Sequence, residues 1–169
     1  MRLACDSRLV SARLIASADS WVSTMALAEA RGMPPPWPAA EPFGWQFPQG
    51  GVDEGEDMLD AARRELEEET GVTSVSYLAC TEGWIVYDFP ADYASSKAAR
   101  GWKGQRQVWY ALRFEGEDSE IRLDLHHEIE FDDWRWGTLA EAPSLVVPFK
   151  RAAYEAVVTA FAPFAATLP

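Results

Sequence analysis

The feature that most restricts this chain is GGVDEGEDMLDAARRELEEETGV at residues 50–72, a glycine turn running into an acid-rich segment that stops at another glycine. The spacing predicts a helix over residues 57–70, with Met58, Leu59, Ala62 and Leu66 as an apolar stripe and acids near its start. Gly71 stands where a C-terminal cap belongs. On this helix Glu65, Glu68 and Glu69 stand at i, i+3 and i+4, which puts three carboxylates on one face within a turn. Like charges so placed repel one another. Hard cations with oxygen ligands, Mg²⁺ or Mn²⁺, would relieve the repulsion if shared between them.

The plainer alternative is a solvated acidic face, which is what a run of charge usually is. Three features weigh against it. The acids are bracketed by a glycine turn and a capping glycine, Arg64 is placed to pair with Glu56 or a neighbouring acid, and the opposite stripe of the helix is apolar.

Around this segment the chain reads as one ordinary globular domain. GWQFPQGG at residues 44–51 predicts a short strand entering a turn, since Pro48 and the paired glycines cannot continue a regular element. Aromatic and β-branched residues predict strands over residues 75–79, 84–87, 107–114 and 134–137. Apolar residues at helical spacing predict a helix over residues 149–161. Before the proline-rich loop at residues 32–38, Leu14, Val22, Met25 and Ala26 have a loose helical spacing, so residues 11–31 are expected to be helical. A sheet flanked by helices is the natural packing of these elements.

The net charge of −12 repels polyanions at long range and excludes broad, sequence-independent nucleic-acid binding. Carboxylates can still serve a phosphate substrate when divalent cations between them invert the local charge. Eight Trp and eight Phe are more than a minimal core needs, which points to aromatic residues at a ligand site. Cys5 and Cys80 have no metal-ligand spacing and form no disulfide framework, so a reducing, cytoplasmic setting is expected. No apolar run reaches the length of a membrane span.

The fixed spacing (Gly50, Glu56, Arg64-Glu65, an apolar Leu66, Glu68-Glu69, Gly71 and an apolar Val72) resembles the Nudix box. The likeness extends over residues 45–161 through WQFPQGG, Tyr87 with Pro90, GWKGQRQVWY at residues 101–110, Glu130 with Trp134-Arg135-Trp136, and VPFKR at residues 147–151. In these segments the chain is similar to the bacterial RNA pyrophosphohydrolase and dinucleoside polyphosphate hydrolase branch of the Nudix hydrolases.

That resemblance implies an α/β fold, an α/β/α sandwich with a mixed sheet between helices, in a domain spanning residues 41–169. It implies Mg²⁺ or Mn²⁺ held by Glu65, Glu68, Glu69 and Glu130 with the backbone near Gly50, and an ion pair of Glu56 with Arg64. By the same likeness Tyr87, Phe149 and Lys150 would contact the nucleotide, while Lys103 and Arg106 would steer phosphates. Each has a plain reading as well: Phe149 could be core, Glu130 solvated surface, and the two cations loop decoration. The implied reaction is in-line attack of water on phosphorus, with Glu69 or Glu130 as base and no covalent enzyme intermediate.

Residues 1–40 depart from the family pattern, and neither of its N-terminal strands is recognisable there. The substrate expected is a nucleoside polyphosphate, foremost the 5′-triphosphate end of RNA, with diadenosine tetra- or pentaphosphate as the rival. A monomer with no DNA or membrane partner is expected. A Nudix-fold binding module that has lost catalysis is the remaining rival; three mutually repelling acids count against it.

Overall fold

The computed structural model of the protein describes residues 9–11, 14–16, 24–30, 45–90, 103–125 and 131–166. Its strands are β1 (Leu9–Ser11), β2 (Leu14–Ala16), β3 (Thr24–Ala30), β4 (Trp45–Gln46), β5 (Gly50–Gly51), β6 (Val75–Cys80), β7 (Ile85–Asp88), β8 (Gly104–Phe114) and β9 (Phe131–Thr138). Its helices are α1 (Met58–Thr70), the short α2 (Ala142–Leu145) and α3 (Arg151–Ala166).

The long strand β8 organises the sheet. Along one edge it pairs in parallel with β1 (Val10 opposite Val108) and β2 (Leu14 opposite Leu112). Along the other it pairs antiparallel with β6 (Tyr77 opposite Leu112) and β7 (Tyr87 opposite Gln105). Successive side chains of a strand point to opposite faces, and here both faces are covered. Tyr110, Leu112 and Phe114 pack with Ala62 and Leu66 of α1, whereas Trp109 and Ala111 pack with Tyr154, Val157 and Phe161 of α3. The expected α/β/α sandwich with a mixed sheet is thus present.

Helix α1 forms where the spacing predicts it. Asp57 caps its start, its carboxylate accepting from the N–H groups of Leu59 and Asp60, and Gly71 ends it at φ 75° in the left-handed region that favours glycine. Leu66 is fully buried against the sheet, and burial of such a side chain contributes about 2 kcal/mol. This burial fixes the rotation of α1 and so the direction in which the acids of its other face project.

The expected helix over residues 11–31 is corrected by the structure. Residues 14–16 and 24–30 are strands, and β1 precedes them. β3 pairs antiparallel with β2, with β4 and, over most of its length, with β9. These three strands complete the same sheet as β8, so the boundary drawn at residue 41 does not separate them from it. The proline-rich loop lies outside the described residues. Among the described residues no helix is long and apolar enough to cross a membrane.

Candidate functional site

The chain reaches α1 through β5 and a tight loop, and Arg64 fastens that loop to the helix. Its Nε and Nη2 donate to the two oxygens of Glu56 at 2.8 and 3.0 Å, and Nη2 also donates to the Gly51 carbonyl at 2.8 Å. The second carboxylate oxygen of Glu56 accepts from the Asp53 N–H at 2.9 Å. These bonds favour the ionised form: hydrogen bonding from Arg64, then from Asp53, lowers Glu56 to about 2. The Glu56 hydrogen bond in turn raises Arg64.

The other guanidinium nitrogen meets two of the predicted acids. Nη1 of Arg64 lies 2.8 Å from Oε1 of Glu65 and 3.0 Å from Oε2 of Glu68. One cationic group therefore already sits between these carboxylates. Glu65 is 13% exposed and Glu68 46%, so Glu68 faces solvent and Glu65 is tucked under the loop. Gly50 makes this possible, because a Cβ there would stand 1.7 Å from Oε2 of Glu65. Glu69 turns the other way, and its Oε2 accepts the N–H of Gln49 at 2.9 Å.

The donors are all oxygens, of the kind that suits Mg²⁺ or Mn²⁺, and they adjoin the backbone of Gly50 and Gly51. Among the described residues, no group of three acidic, His or Cys side chains is gathered closely enough to hold an ion as it stands. Glu130, the fourth predicted ligand, lies outside the described residues.

Tyr87, Phe149 and Lys150 come together on the α3 face of the sheet. The rings of Tyr87 and Phe149 are 5.9 Å apart, with Phe89 edge-on to both. Lys150 is buried, its ammonium 5.9 Å from the centre of the Tyr87 ring and 2.9 Å from Oε1 of Gln46. Arg106 does not join them. It pairs with Val86 and projects from the opposite face, where its guanidinium lies 4.5 Å over the Trp84 ring. Strand alternation requires this separation, since Gln105 and Gln107 flank Arg106 in β8. Lys103 is exposed just before β8, and its carbonyl accepts the Phe89 N–H at 2.7 Å.

Sequence reasoning assigned no role to the glutamines that lie between the two groups. Gln105 and Gln107 are both buried on the α3 face of β8. The Tyr87 hydroxyl donates to Oε1 of Gln105, and Nε2 of Gln107 donates to Oε1 of Gln49 at 2.9 Å. Glu69, Gln49, Gln107, Gln105 and Tyr87 thus form one polar track, with Gln107 reaching Gln105 at 3.4 Å. The available signal was the spacing: two amides at alternate positions, in phase with the apolar Trp109 and Ala111.

A mixed sheet between helices, with a glutamate-rich helix pinned to a glycine loop, defines a class. The chain belongs to the NUDIX domain family, whose profile matches residues 21–157. Hydrolases of this family generally work with divalent metal ions. The chain is 67% identical over 127 residues to the RNA pyrophosphohydrolase of Caulobacter vibrioides (strain NA1000 / CB15N), covering 75% of this chain and 74% of that protein. It is 55% identical over 120 residues to the RNA pyrophosphohydrolase of Rhizobium meliloti (strain 1021), covering 69% and 72% respectively. Its fold is similar to that of a C. elegans Ap4A hydrolase in a binary complex, with a TM-score of 0.60 at 18% identity, over 92% of this chain and 98% of that one.

Proposed function

We propose that this Nudix enzyme hydrolyses the 5′-triphosphate end of RNA, releasing pyrophosphate and leaving a 5′-monophosphate. The observation that carries this reading is the juxtaposition of an acid face with an aromatic and cationic cluster, joined by the polar track from Glu69 to Tyr87. The relatives named RNA pyrophosphohydrolase support it.

In this reading Glu65, Glu68 and Glu69, with Glu130 and the backbone of Gly50, would hold Mg²⁺ or Mn²⁺. The bound cation would neutralise phosphate charge and lower the pKa of the attacking water. Glu69 or Glu130 takes the proton of that water as it attacks phosphorus. Lys150 meets phosphate charge, while Tyr87 and Phe149 offer ring surface to a base. Arg64 keeps loop and helix in register through Glu56. Arg106, on the far face, takes no part in this cluster.

A second substrate, diadenosine tetraphosphate, is favoured by the net charge of −12, which penalises a long polyanion more than a short one. Turnover of triphosphorylated RNA and of diadenosine tetraphosphate should be compared at equal Mg²⁺. Hydrolysis of both is expected. Hydrolysis of the dinucleotide alone would remove the RNA assignment.

A further inference from the structure

Gln107 sits at the midpoint of the polar track and is 1% exposed. Its Nε2 donates to Gln49 and Gln105, but among the described residues its Oε1 is buried without a hydrogen-bond partner. A buried carbonyl oxygen with no donor destabilises a fold, whereas an apolar side chain of similar length in the same space does not. The neighbours on this face of β8, Trp109 and Ala111, belong to an apolar core that would accept such a side chain. The cost of the unpaired Oε1 offsets much of what the two Nε2 bonds contribute, so stability alone is a poor reason for a glutamine at this position.

The two groups that Gln107 holds explain it better. Gln49 is the residue whose N–H donates to Glu69, and Gln105 is the residue that accepts the Tyr87 hydroxyl. Fixing both amides from one point sets the acid face and the cluster of Tyr87, Phe149 and Lys150 at a constant separation. We propose that Gln107 is a positioning residue that orients Glu69 through Gln49 and Tyr87 through Gln105. This rests on the reading of the acid helix as the hydrolytic site.

The test uses the full chain with Gln107→Met, which keeps length and removes hydrogen bonding. Thermal unfolding, Mn²⁺ affinity by calorimetry, and kcat and KM on triphosphorylated RNA are measured against wild type. Groups that orient metal ligands typically change affinity or activity by ~10- to 100-fold, so kcat should fall in that range and Mn²⁺ should bind more weakly. The melting temperature should move by only a few degrees, because the lost Nε2 bonds and the removed unpaired Oε1 offset one another. Gln49→Met should act in the same direction, and the double variant should lose little beyond Gln107→Met alone, because the two residues act as one unit. The proposal is overturned by wild-type kcat with unchanged Mn²⁺ affinity, by losses that multiply in the double variant, or by a Gln107→Met chain that does not fold. Mn²⁺ affinity is read without substrate, so it tests Gln107 even if wild type proves inactive on RNA; that inactivity would sink the functional reading instead.

Discussion

Replacing Gly50 with alanine places a methyl group where the Glu65 carboxylate lies. The added Cβ would stand 1.7 Å from Oε2 and 1.8 Å from Cδ, whereas ordinary contact begins near 3.4 Å. The carboxylate must therefore retreat by well over ~1 Å, and a displacement of that size in a catalytic group can cost ~10²-fold in rate. The fold should tolerate it. Among the described glycines positive φ occurs only at Gly55 and Gly71, so alanine at position 50 is unstrained, and the clashing atoms end a flexible side chain. Arg64 would lose its contact to Glu65 but keep Glu56 and the Gly51 carbonyl, a loss of about 1 kcal/mol or less. Turnover of triphosphorylated RNA should fall ~10²-fold or more, with the melting temperature moving only a few degrees. Wild-type kcat in a folded Gly50→Ala chain would refute the placing of Glu65 at the reacting centre.

Gly71→Ala should do the opposite, costing about 1 to 2 kcal/mol in urea denaturation while folded protein stays active, because φ is 75° there and a Cβ would meet Leu125 at 2.7 Å. Glu56 is held at about 2 against an ordinary 4.5, so its share of stability is present above pH 4.5 and is lost as pH falls toward 2. Glu56→Gln should flatten that part of the acid limb; an unchanged slope of denaturation midpoint against pH would count against the pairing. Phe149→Ala should raise KM for RNA by ~5- to 100-fold if the ring stacks on a base. Unchanged KM and kcat, with a lowered melting temperature, would instead assign Phe149 to the core alone.

The helix α1 was legible because its local signals agree: the apolar stripe through Leu66 and the terminating Gly71 both hold, and the structure adds Asp57 as the N-terminal cap. The strand β3 was not. Thr24–Ala30 reads TMALAEA, and Met, Ala, Leu and Glu are among the strongest intrinsic helix formers. Its strand state is decided by partners distant in sequence, β9 above all, from Thr24 opposite Thr138 to Ala28 opposite Trp134. The site divides in the same way. Spacing along one helix brings Glu65 and Glu68 to one guanidinium while Glu69 turns to Gln49, whereas the track through Gln49, Gln107 and Gln105 depends on how β8 lies against the glycine loop. Arg106, expected to steer phosphates or to decorate a loop, is directed to the other face by its place in β8 between Gln105 and Gln107, whose orientation only the packing of the sheet decides.

The most direct test follows the 5′ end of a triphosphorylated RNA oligonucleotide with wild type and Glu68→Gln, in Mg²⁺ and after chelation with EDTA. Glu68 is exposed and, among the described residues, its carboxylate bonds only to Arg64, so the substitution removes a carboxylate charge with little effect on folding. Wild type in Mg²⁺ should release pyrophosphate and leave a monophosphate end, lose this activity on chelation and recover it when Mg²⁺ or Mn²⁺ is restored, and Glu68→Gln should show no turnover. Hydrolysis that survives chelation, or wild-type turnover by Glu68→Gln, would contradict this reading of the acid helix.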